Sequence, residues 1–284
     1  MSCLHDDDAG MFCLTRVPCS WVFSSALSAG AQKGHSVYDP SKSPTSHRLR
    51  GESWKVTYGD GSGALGNVYT DTVQIGSTTA TNQAVGTANL ISEKFQQDTE
   101  NDGLLGLAFD VINQVTPHQQ KTFFSNVKND LANTVFTADL KKGKPGSFDF
   151  GFIDSTKYTG KVTYVPVDSG RGFWEFDSNG YAIGNNAFTT TTINAIMDTG
   201  TSLILLPPVI VSAYYSKISS AKYDSAQGGY TFPCSAGLSS ITLGFGSYKA
   251  MVPGSFVNYS PLSSDSSSTY YSETQRKYTQ VYLY

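Results

Sequence analysis

The 284-residue chain has few charged side chains. Asp, Glu, Lys and Arg make up 15% of its residues, and its formal net charge is −3. An average soluble domain has roughly 25% charged residues. Nucleic acids and anionic membranes are bound mainly by Lys and Arg side chains, and this chain has few of them. We therefore expect neither as a partner. Few Lys and Arg also limit self-repulsion once carboxylates are protonated, which suits an acidic medium.

Long apolar stretches are absent as well. No run approaches the ~20 residues that a transmembrane helix needs. The first 20 residues lack the basic start and apolar run of a signal peptide. Only four cysteines are present, and three of them lie in those first 20 residues. Cys3, His5, Cys13 and Cys19 match no common zinc-site spacing, so we predict no metal site.

The residues that are present indicate β-structure. Short runs of β-formers are separated by Gly, Asn, Asp or Pro about every eight to twelve residues, which is typical of an all-β architecture. The strands that this pattern predicts include Ser53–Tyr58, Val73–Ile75, Ser147–Phe150, Lys161–Val165 and Ile241–Leu243. Helical signals are few, and they lie within Thr122–Leu131 and Pro208–Ile218. We place a boundary between two lobes near residues 150–160.

The most informative motif is Asp198-Thr199-Gly200-Thr201-Ser202, a small-residue turn between two apolar runs. A buried, unpaired carboxylate costs several kcal/mol or becomes neutral, so a chain tolerates one where a proton must be held and passed on. Water attack on an amide uses two carboxylates that share one proton. Asp198 is therefore a candidate for one half of such a pair.

The motif is short, and the same chain contains a second copy of its pattern. Asp168-Ser169-Gly170 also fits, but it follows Pro166-Val167 and precedes Arg171-Gly172. These neighbours predict a polar turn with a structural role for Asp168. By itself, Tyr58–Ser62 is likewise typical of an ordinary hairpin turn.

Several segments together carry a more specific signal. In chain order they are Trp21–Ser25, His35–Ser41, Trp54–Ser62, Asp102–Phe109 and Ala195–Leu206. In this order and spacing the chain resembles the pepsin-type aspartic endopeptidases, particularly the secreted fungal enzymes of penicillopepsin or aspergillopepsin type, over roughly residues 20 to 260. The resemblance implies an all-β, bilobal pepsin-like acid protease fold with few short helices, incomplete at both termini.

The resemblance also implies roles for the residues around Asp198. Asp198 matches the catalytic Asp of the C-terminal lobe, and Thr201 matches the hydroxyl that hydrogen-bonds near the pair. Gly200 and Thr201 are candidate substrate-binding residues, and Thr199 supports the turn.

A second group of candidates follows from the same resemblance. Tyr58 matches the tip tyrosine of a hairpin flap that closes over substrate, with Gly59 alongside. Asp60 and Ser62 match flap positions that help to accept a basic side chain beside the scissile bond. Trp21 matches the tryptophan that steadies the tyrosine.

The family implies a polypeptide substrate, pepstatin-like inhibitors, a monomer and a secreted location, with neither metal nor cofactor. The segments expected are an atypical N-terminal stretch (1–19), an N-terminal lobe with the flap (20–155), an incomplete C-terminal lobe (156–262) and an atypical tail (263–284).

Both ends depart from the family pattern. The family carries an Asp-Thr-Gly whose Asp lies seven residues before the tryptophan matched by Trp21, and that position here is Leu14. Arg16 follows where the glycine would be, and Asp8-Ala9-Gly10 lies too far upstream to replace the motif. The cysteine that pairs with the one matching Cys234 is also missing, so we expect Cys234 to form no disulfide.

Three interpretations follow. The first is an aspartic endopeptidase by lineage that, with this sequence, has one carboxylate and impaired activity. The second is a non-catalytic homologue that binds peptides or proteins. The third is a homodimer that supplies one Asp from each chain, which is disfavoured because residues 20–150 would occupy the dimer face.

Overall fold

The structure is a computed structural model that describes residues 12–14, 19–141, 144–201, 203–226, 228–257, 260–261, 270–272 and 281–283. Strands dominate it and helices are short, so the all-β prediction is confirmed. The chain forms two compact units. The first contains the described residues up to Thr159 together with Ser169–Phe173, and the second contains Gly160–Asp168 and the described residues from Trp174 onward.

The first unit is built on one large sheet. Its strands are β1 (Phe12–Leu14), β2 (Trp21–Phe23), β3 (His47–Thr57), β4 (Gly63–Ile75), β5 (Thr78–Ile91), β6 (Gly103–Gly106), β7 (Val115–Thr116), β8 (Phe136–Asp139) and β9 (Ser147–Phe150). Seven of them form a sheet in the order β1-β6-β2-β5-β4-β3-β7, and β8 pairs with β9. The helices are α1 (Ala29–Gln32), α2 (Glu93–Gln97) and α3 (Phe123–Val127), with 3₁₀ turns at Pro40–Lys42 and Asp110–Ile112.

Close packing in this sheet requires glycine at two positions. A Cβ on Gly86 would lie 2.5 Å from the ring of Trp54, and a Cβ on Gly66 would lie 1.9 Å from the carbonyl oxygen of Thr87. The core above them is aromatic, with Trp21 stacked between Phe23 and Trp54 at centroid distances of 5.8 and 5.6 Å. These contacts hold β2 firmly against the neighbouring strands.

The second unit has two sheets. Its strands are β10 (Glu175–Ile183), β11 (Thr189–Met197), β12 (Lys222–Asp224), β13 (Gly229–Phe232), β14 (Ile241–Phe245), β15 (Tyr248–Val252), β16 (Ser260–Pro261), β17 (Tyr270–Ser272) and β18 (Val281–Leu283). They pair in the orders β15-β14-β10-β11-β18 and β12-β13-β17-β16. The helices are α4 (Pro208–Tyr215) and α5 (Gly254–Val257). One apolar core joins α4 to the first of these sheets, with Ile210, Val211 and Ala195 at 2% exposure or less.

Two sequence expectations differ from the structure. The prediction of a strand at Lys161–Val165 is wrong: no strand is assigned there in the described residues, although β-formers alternate. A strand needs a partner as well as a pattern, and Pro166 removes a donor at its end. The second difference concerns the tail (263–284), which was expected to be atypical. Two three-residue strands within it, β17 and β18, pair with β13 and β11 of the second unit. The rest of segments 1–19 and 263–284 lies largely outside the described residues.

Candidate functional site

Asp198 lies at the end of the second strand from the edge of the five-stranded sheet. It directly follows β11, which is flanked by β10 on one side and by β18, in parallel, on the other. The Met197 N–H donates to the Trp174 carbonyl at 3.0 Å, so the strand is held up to the residue before the carboxylate. The Asp198 residue is only 2% exposed.

Each carboxylate oxygen of Asp198 accepts a hydrogen bond from the turn that follows. The Gly200 backbone N–H donates to Oδ1 at 2.9 Å, and the Thr201 hydroxyl donates to Oδ2 at 2.7 Å. Both donors are uncharged, so they orient the carboxylate without forming an ion pair with it. A group held this way can exchange a proton with a neighbouring acid or a water, which is what general acid–base catalysis requires.

Sequence reasoning placed this turn correctly, because the contacts are local. Asp side chains commonly accept from a backbone N–H two residues on, and Asp198 does so with Gly200. The competing motif behaves differently. Asp168 is exposed and its backbone N–H donates to the Glu175 carbonyl at 2.7 Å, in keeping with a structural turn.

Tyr58 begins the turn that joins β3 to β4. Its backbone N–H donates to the Ser62 carbonyl at 2.8 Å, and the Gly61 N–H donates back to the Tyr58 carbonyl at 3.0 Å. Gly61 has φ +82°, a left-handed conformation that favours glycine. Gly59 at the tip is exposed, and a Cβ added there would meet no other atom within 4 Å.

The hydroxyl of Tyr58 is fixed by the core of the first unit. The indole N–H of Trp21, a fully buried residue, donates to it at 2.8 Å. Burial raises the pKa of Tyr58 well above its usual value, so the phenol is neutral and its own proton is available to a further acceptor. The Trp21 indole therefore fixes the position of the Tyr58 hydroxyl.

Asp60 carries a charge at the same turn. Its Oδ1 accepts from the Ser62 N–H at 3.0 Å and from the Ser62 hydroxyl at 2.6 Å, and its Oδ2 pairs with Lys94. Burial raises the pKa of Asp60, but the hydrogen bonds from Lys94 and Ser62 outweigh it and lower that pKa to about 2. Asp60 is thus ionised throughout the mildly acid range.

Sequence reasoning missed the helix that supports this turn. Lys94 and Phe95 both lie on α2, and the Phe95 ring meets Tyr58 edge-on at 5.7 Å and Trp21 edge-on at 5.1 Å. Residues 58 and 95 are far apart in sequence, and a five-residue helix leaves no clear periodicity. No local signal in the chain could have identified these contacts.

The two units share one local arrangement. In the second unit, β11 runs parallel to β18 and ends at Met197, and Asp198 follows. In the first unit, β1 runs parallel to β6 and ends at Leu14, and Thr15 follows. Neither Leu14 nor Thr15 has a carboxylate. The place in the first unit that corresponds to Asp198 by strand pairing is therefore occupied by an apolar side chain (Leu14) or by a hydroxyl (Thr15).

The candidates therefore fall into two groups, each described within its own unit. Trp21, Tyr58, Asp60 and Ser62 come together in the first unit, and Asp198, Gly200 and Thr201 in the second. The described residues contain no group of three or more His, Cys, Asp or Glu side chains that could hold a metal ion. Cys19 is a buried thiol, and its burial raises its pKa to about 12.

No helix in the described ranges has both the length and the apolar character that crossing a bilayer requires.

Comparison with known proteins gives one consistent result. Residues 18–282 match the family model described as eukaryotic aspartyl protease. The chain is 51% identical over 250 residues to endothiapepsin of Cryphonectria parasitica, covering 88% of this chain and 60% of that protein. It is 50% identical over 250 residues to aspergillopepsin-1 of Aspergillus fumigatus, covering 88% of this chain and 63% of that protein.

A third relative is penicillopepsin-1 of Penicillium janthinellum, which is 52% identical over 241 residues, covering 85% of this chain and 73% of the relative. The chain thus spans about 60% of the length of the first two relatives.

Proposed function

The chain belongs to the eukaryotic aspartyl protease family, and on that premise we propose that Asp198 is one carboxylate of a peptide-hydrolysing pair whose second carboxylate this sequence lacks. The observation that carries the proposal is the Asp198 carboxylate itself. It is buried at the end of β11, and the Gly200 N–H and the Thr201 hydroxyl fix its two oxygens. Thr199 supports this turn.

The chemistry of the complete pair is water attack on an amide. Two carboxylates about 3 Å apart cannot both ionise, so they share one proton. The ionised member takes a proton from the attacking water while the protonated member donates to the carbonyl oxygen. Asp198 is suited to either role, because the Gly200 N–H and the Thr201 hydroxyl that contact it are neutral donors.

The Tyr58 hairpin supplies the binding groups. Tyr58 offers a neutral hydroxyl held by Trp21, and the exposed Gly59 lets a peptide backbone approach closely. Asp60 is ionised and anchored by Ser62, and a basic substrate side chain would compete with Lys94 for its carboxylate. We assign these residues to substrate binding, with polypeptide as substrate and pepstatin-like compounds as inhibitors.

Leu14, the apolar residue at the end of β1, stands where the second carboxylate would be, and we expect it to lower the rate of hydrolysis. Each acid–base group contributes roughly 10²–10⁴-fold to a rate, so loss of one partner removes most hydrolysis. We therefore propose that the chain with this sequence binds peptides and cleaves them little or not at all. From the family we also propose that the protein is a monomer and that it acts outside the cell.

The same apolar position favours a second candidate function, a binding protein that has given up catalysis. The two functions differ in what Asp198 contributes. In the protease lineage its removal affects hydrolysis once a second carboxylate has been restored, whereas in a pure binding protein it affects neither binding nor rate.

The test is a peptide-cleavage assay at mildly acid pH, with and without pepstatin. It compares the purified unmodified chain with the Asp198→Asn variant. We expect both proteins to show the same background rate. Robust cleavage by the unmodified chain that pepstatin inhibits and Asp198→Asn abolishes would refute the missing-partner proposal, because another carboxylate would then complete the pair.

A further inference from the structure

Lys94 places an ammonium group on the carboxylate of Asp60 in the hairpin turn. Its Nζ donates to Asp60 Oδ2, in an ion pair that joins α2 to the turn. Asp60 Oδ1 accepts from the Ser62 backbone N–H at 3.0 Å and from the Ser62 hydroxyl at 2.6 Å. The side chain of Asp60 is 42% exposed and that of Lys94 is 69% exposed. The carboxylate is therefore open to solvent, but both of its oxygens already accept hydrogen bonds.

The start of α2 is attached to the hairpin on both sides of Lys94. The Ser92 backbone N–H donates to the Gly63 carbonyl at 2.9 Å, and the Gly63 N–H donates to the Ser92 hydroxyl at 3.3 Å. On the other side of Lys94, the Phe95 ring meets Tyr58 edge-on at 5.7 Å. Exposed ion pairs are weak partly because two side chains must be ordered. Here the backbone of Lys94 is already held beside the turn, so less ordering is needed.

Lys94 follows a second carboxylate in the sequence, but it does not pair with it. Glu93 accepts from the Gln97 amide at 2.9 Å, one turn further along α2. Among the described residues, Lys94 and Asp60 form an ion pair with each other and with no other group. Removal of the Lys94 ammonium would therefore release the Asp60 charge and leave the other ion pairs intact.

The hydrogen bonds to Asp60 limit what a further cation can do there. An ionised carboxylate has about four acceptor sites. Ser62 uses two of them in Asp60, and Lys94 uses a third. A basic side chain of a bound peptide must either displace the Lys94 ammonium or lie next to it. Displacement loses the existing ion pair, and two like charges side by side oppose binding.

We propose that Lys94 is a specificity-determining residue, an internal competitor that occupies Asp60 and so selects peptides with an uncharged side chain at this position over peptides with Lys or Arg there. The inference rests on the proposed assignment of Asp60 to substrate binding. It also departs from the family resemblance, which implies that Asp60 and Ser62 help to accept a basic side chain. In this chain a residue outside the hairpin turn weakens that preference.

The experiment measures the binding of two short apolar peptides by titration calorimetry at mildly acid pH. The peptides differ only in the side chain beside the scissile bond, which is lysine in one and norleucine, of similar length but uncharged, in the other. Lys94→Met removes the ammonium and keeps an unbranched side chain. It is expected to raise the affinity for the lysine peptide roughly two- to fivefold, the effect of one exposed ion pair. The affinity for the norleucine peptide is expected to stay the same.

Two controls separate competition at Asp60 from a general effect of charge. Lys42→Met removes another exposed lysine of the first unit, which pairs with Asp39, and makes the same change in net charge. It is expected to alter neither affinity. The second control adds Lys94→Met to Asp60→Asn. Without a carboxylate to release, the gain for the lysine peptide is expected to be much smaller.

Three results would overturn the role of Lys94. They are no gain for the lysine peptide in Lys94→Met, an equal gain for both peptides, and a gain of the same size in the Asp60→Asn background. If neither peptide binds the unmodified chain or any variant, the proposed substrate-binding function fails, and the role of Lys94 fails with it. Binding of both peptides without the expected change in Lys94→Met refutes the role of Lys94 alone, so the two failures are distinguishable.

Discussion

Asp71 provides a sharp test of how the first unit is stabilised. Its buried carboxylate accepts hydrogen bonds from the Tyr38 hydroxyl at 2.5 Å, the Ser43 hydroxyl at 3.0 Å, the Thr72 backbone N–H at 2.7 Å and the Thr45 hydroxyl. Asp71→Ala leaves all four donors without this acceptor. A hydrogen bond to a charged group is worth about 1.5–3 kcal/mol.

Water can replace part of this loss, because Ser43 and Tyr38 are half-buried and Thr45 is exposed. We therefore expect Asp71→Ala to lower the free energy of unfolding by about 3 kcal/mol, the equivalent of one or two fully lost bonds. For a unit of this size that is roughly 6–12 °C in the unfolding midpoint. Asp154→Ala is the matched control, because among the described residues its carboxylate accepts only from Thr156, and it is expected to shift the midpoint much less.

The loss depends on pH in a defined direction. Burial raises the pKa of Asp71, but the hydrogen bonds from Thr45, Tyr38, Ser43 and Thr72 outweigh it and hold that pKa below its usual value. The stability that Asp71 contributes is therefore full above about pH 4, the usual carboxylate value, and is lost as the pH falls through the lower folded value. Midpoints measured by circular dichroism across the acid range check this. A difference between parent and Asp71→Ala that stays constant or grows at the lowest pH would refute the reasoning.

Two further predictions concern the core beneath the hairpin. Trp21→Phe keeps the aromatic stack but removes the 2.8 Å bond to Tyr58, so we expect about 1 kcal/mol lower stability and weaker peptide binding. Titration calorimetry with a peptide measures the binding, and unchanged affinity would show that Trp21 does not position Tyr58. Gly86→Ala places a methyl 2.5 Å from the Trp54 ring, so we expect a loss of about 1–3 kcal/mol in urea unfolding. Gly30→Ala, which has open space around the added methyl, is its control, and equal effects of the two changes would contradict the packing argument.

Features that depend on neighbouring residues were predictable from the sequence. The helix expected after Pro207 extends from Pro208 to Tyr215, because proline suits the first turn of a helix and apolar residues follow it. The turn at Asp198 and the hairpin at Tyr58 are also local, since their hydrogen bonds span only two to four residues.

Features that depend on distant partners were not predictable in this way. The Asp60–Lys94 pair joins residues 34 positions apart, and the His35–Asp102 pair joins residues 67 apart. No pattern along the chain encodes such distances. Lys161–Val165 failed for the same reason, because its alternation suits a strand but the structure provides no neighbouring strand among the described residues.

The central claim is that Asp198 is half of a catalytic pair whose other half is missing at Leu14. Two substitutions, Leu14→Asp and Arg16→Gly, rebuild an Asp-Thr-Gly around the existing Thr15. The most direct measurement is the rate of peptide cleavage by this double variant at mildly acid pH, with Asp198→Asn added in a matched protein. We predict cleavage that the unmodified chain lacks, that pepstatin inhibits and that Asp198→Asn abolishes. No gain of cleavage in a folded double variant, or a gain that survives Asp198→Asn, would contradict the claim.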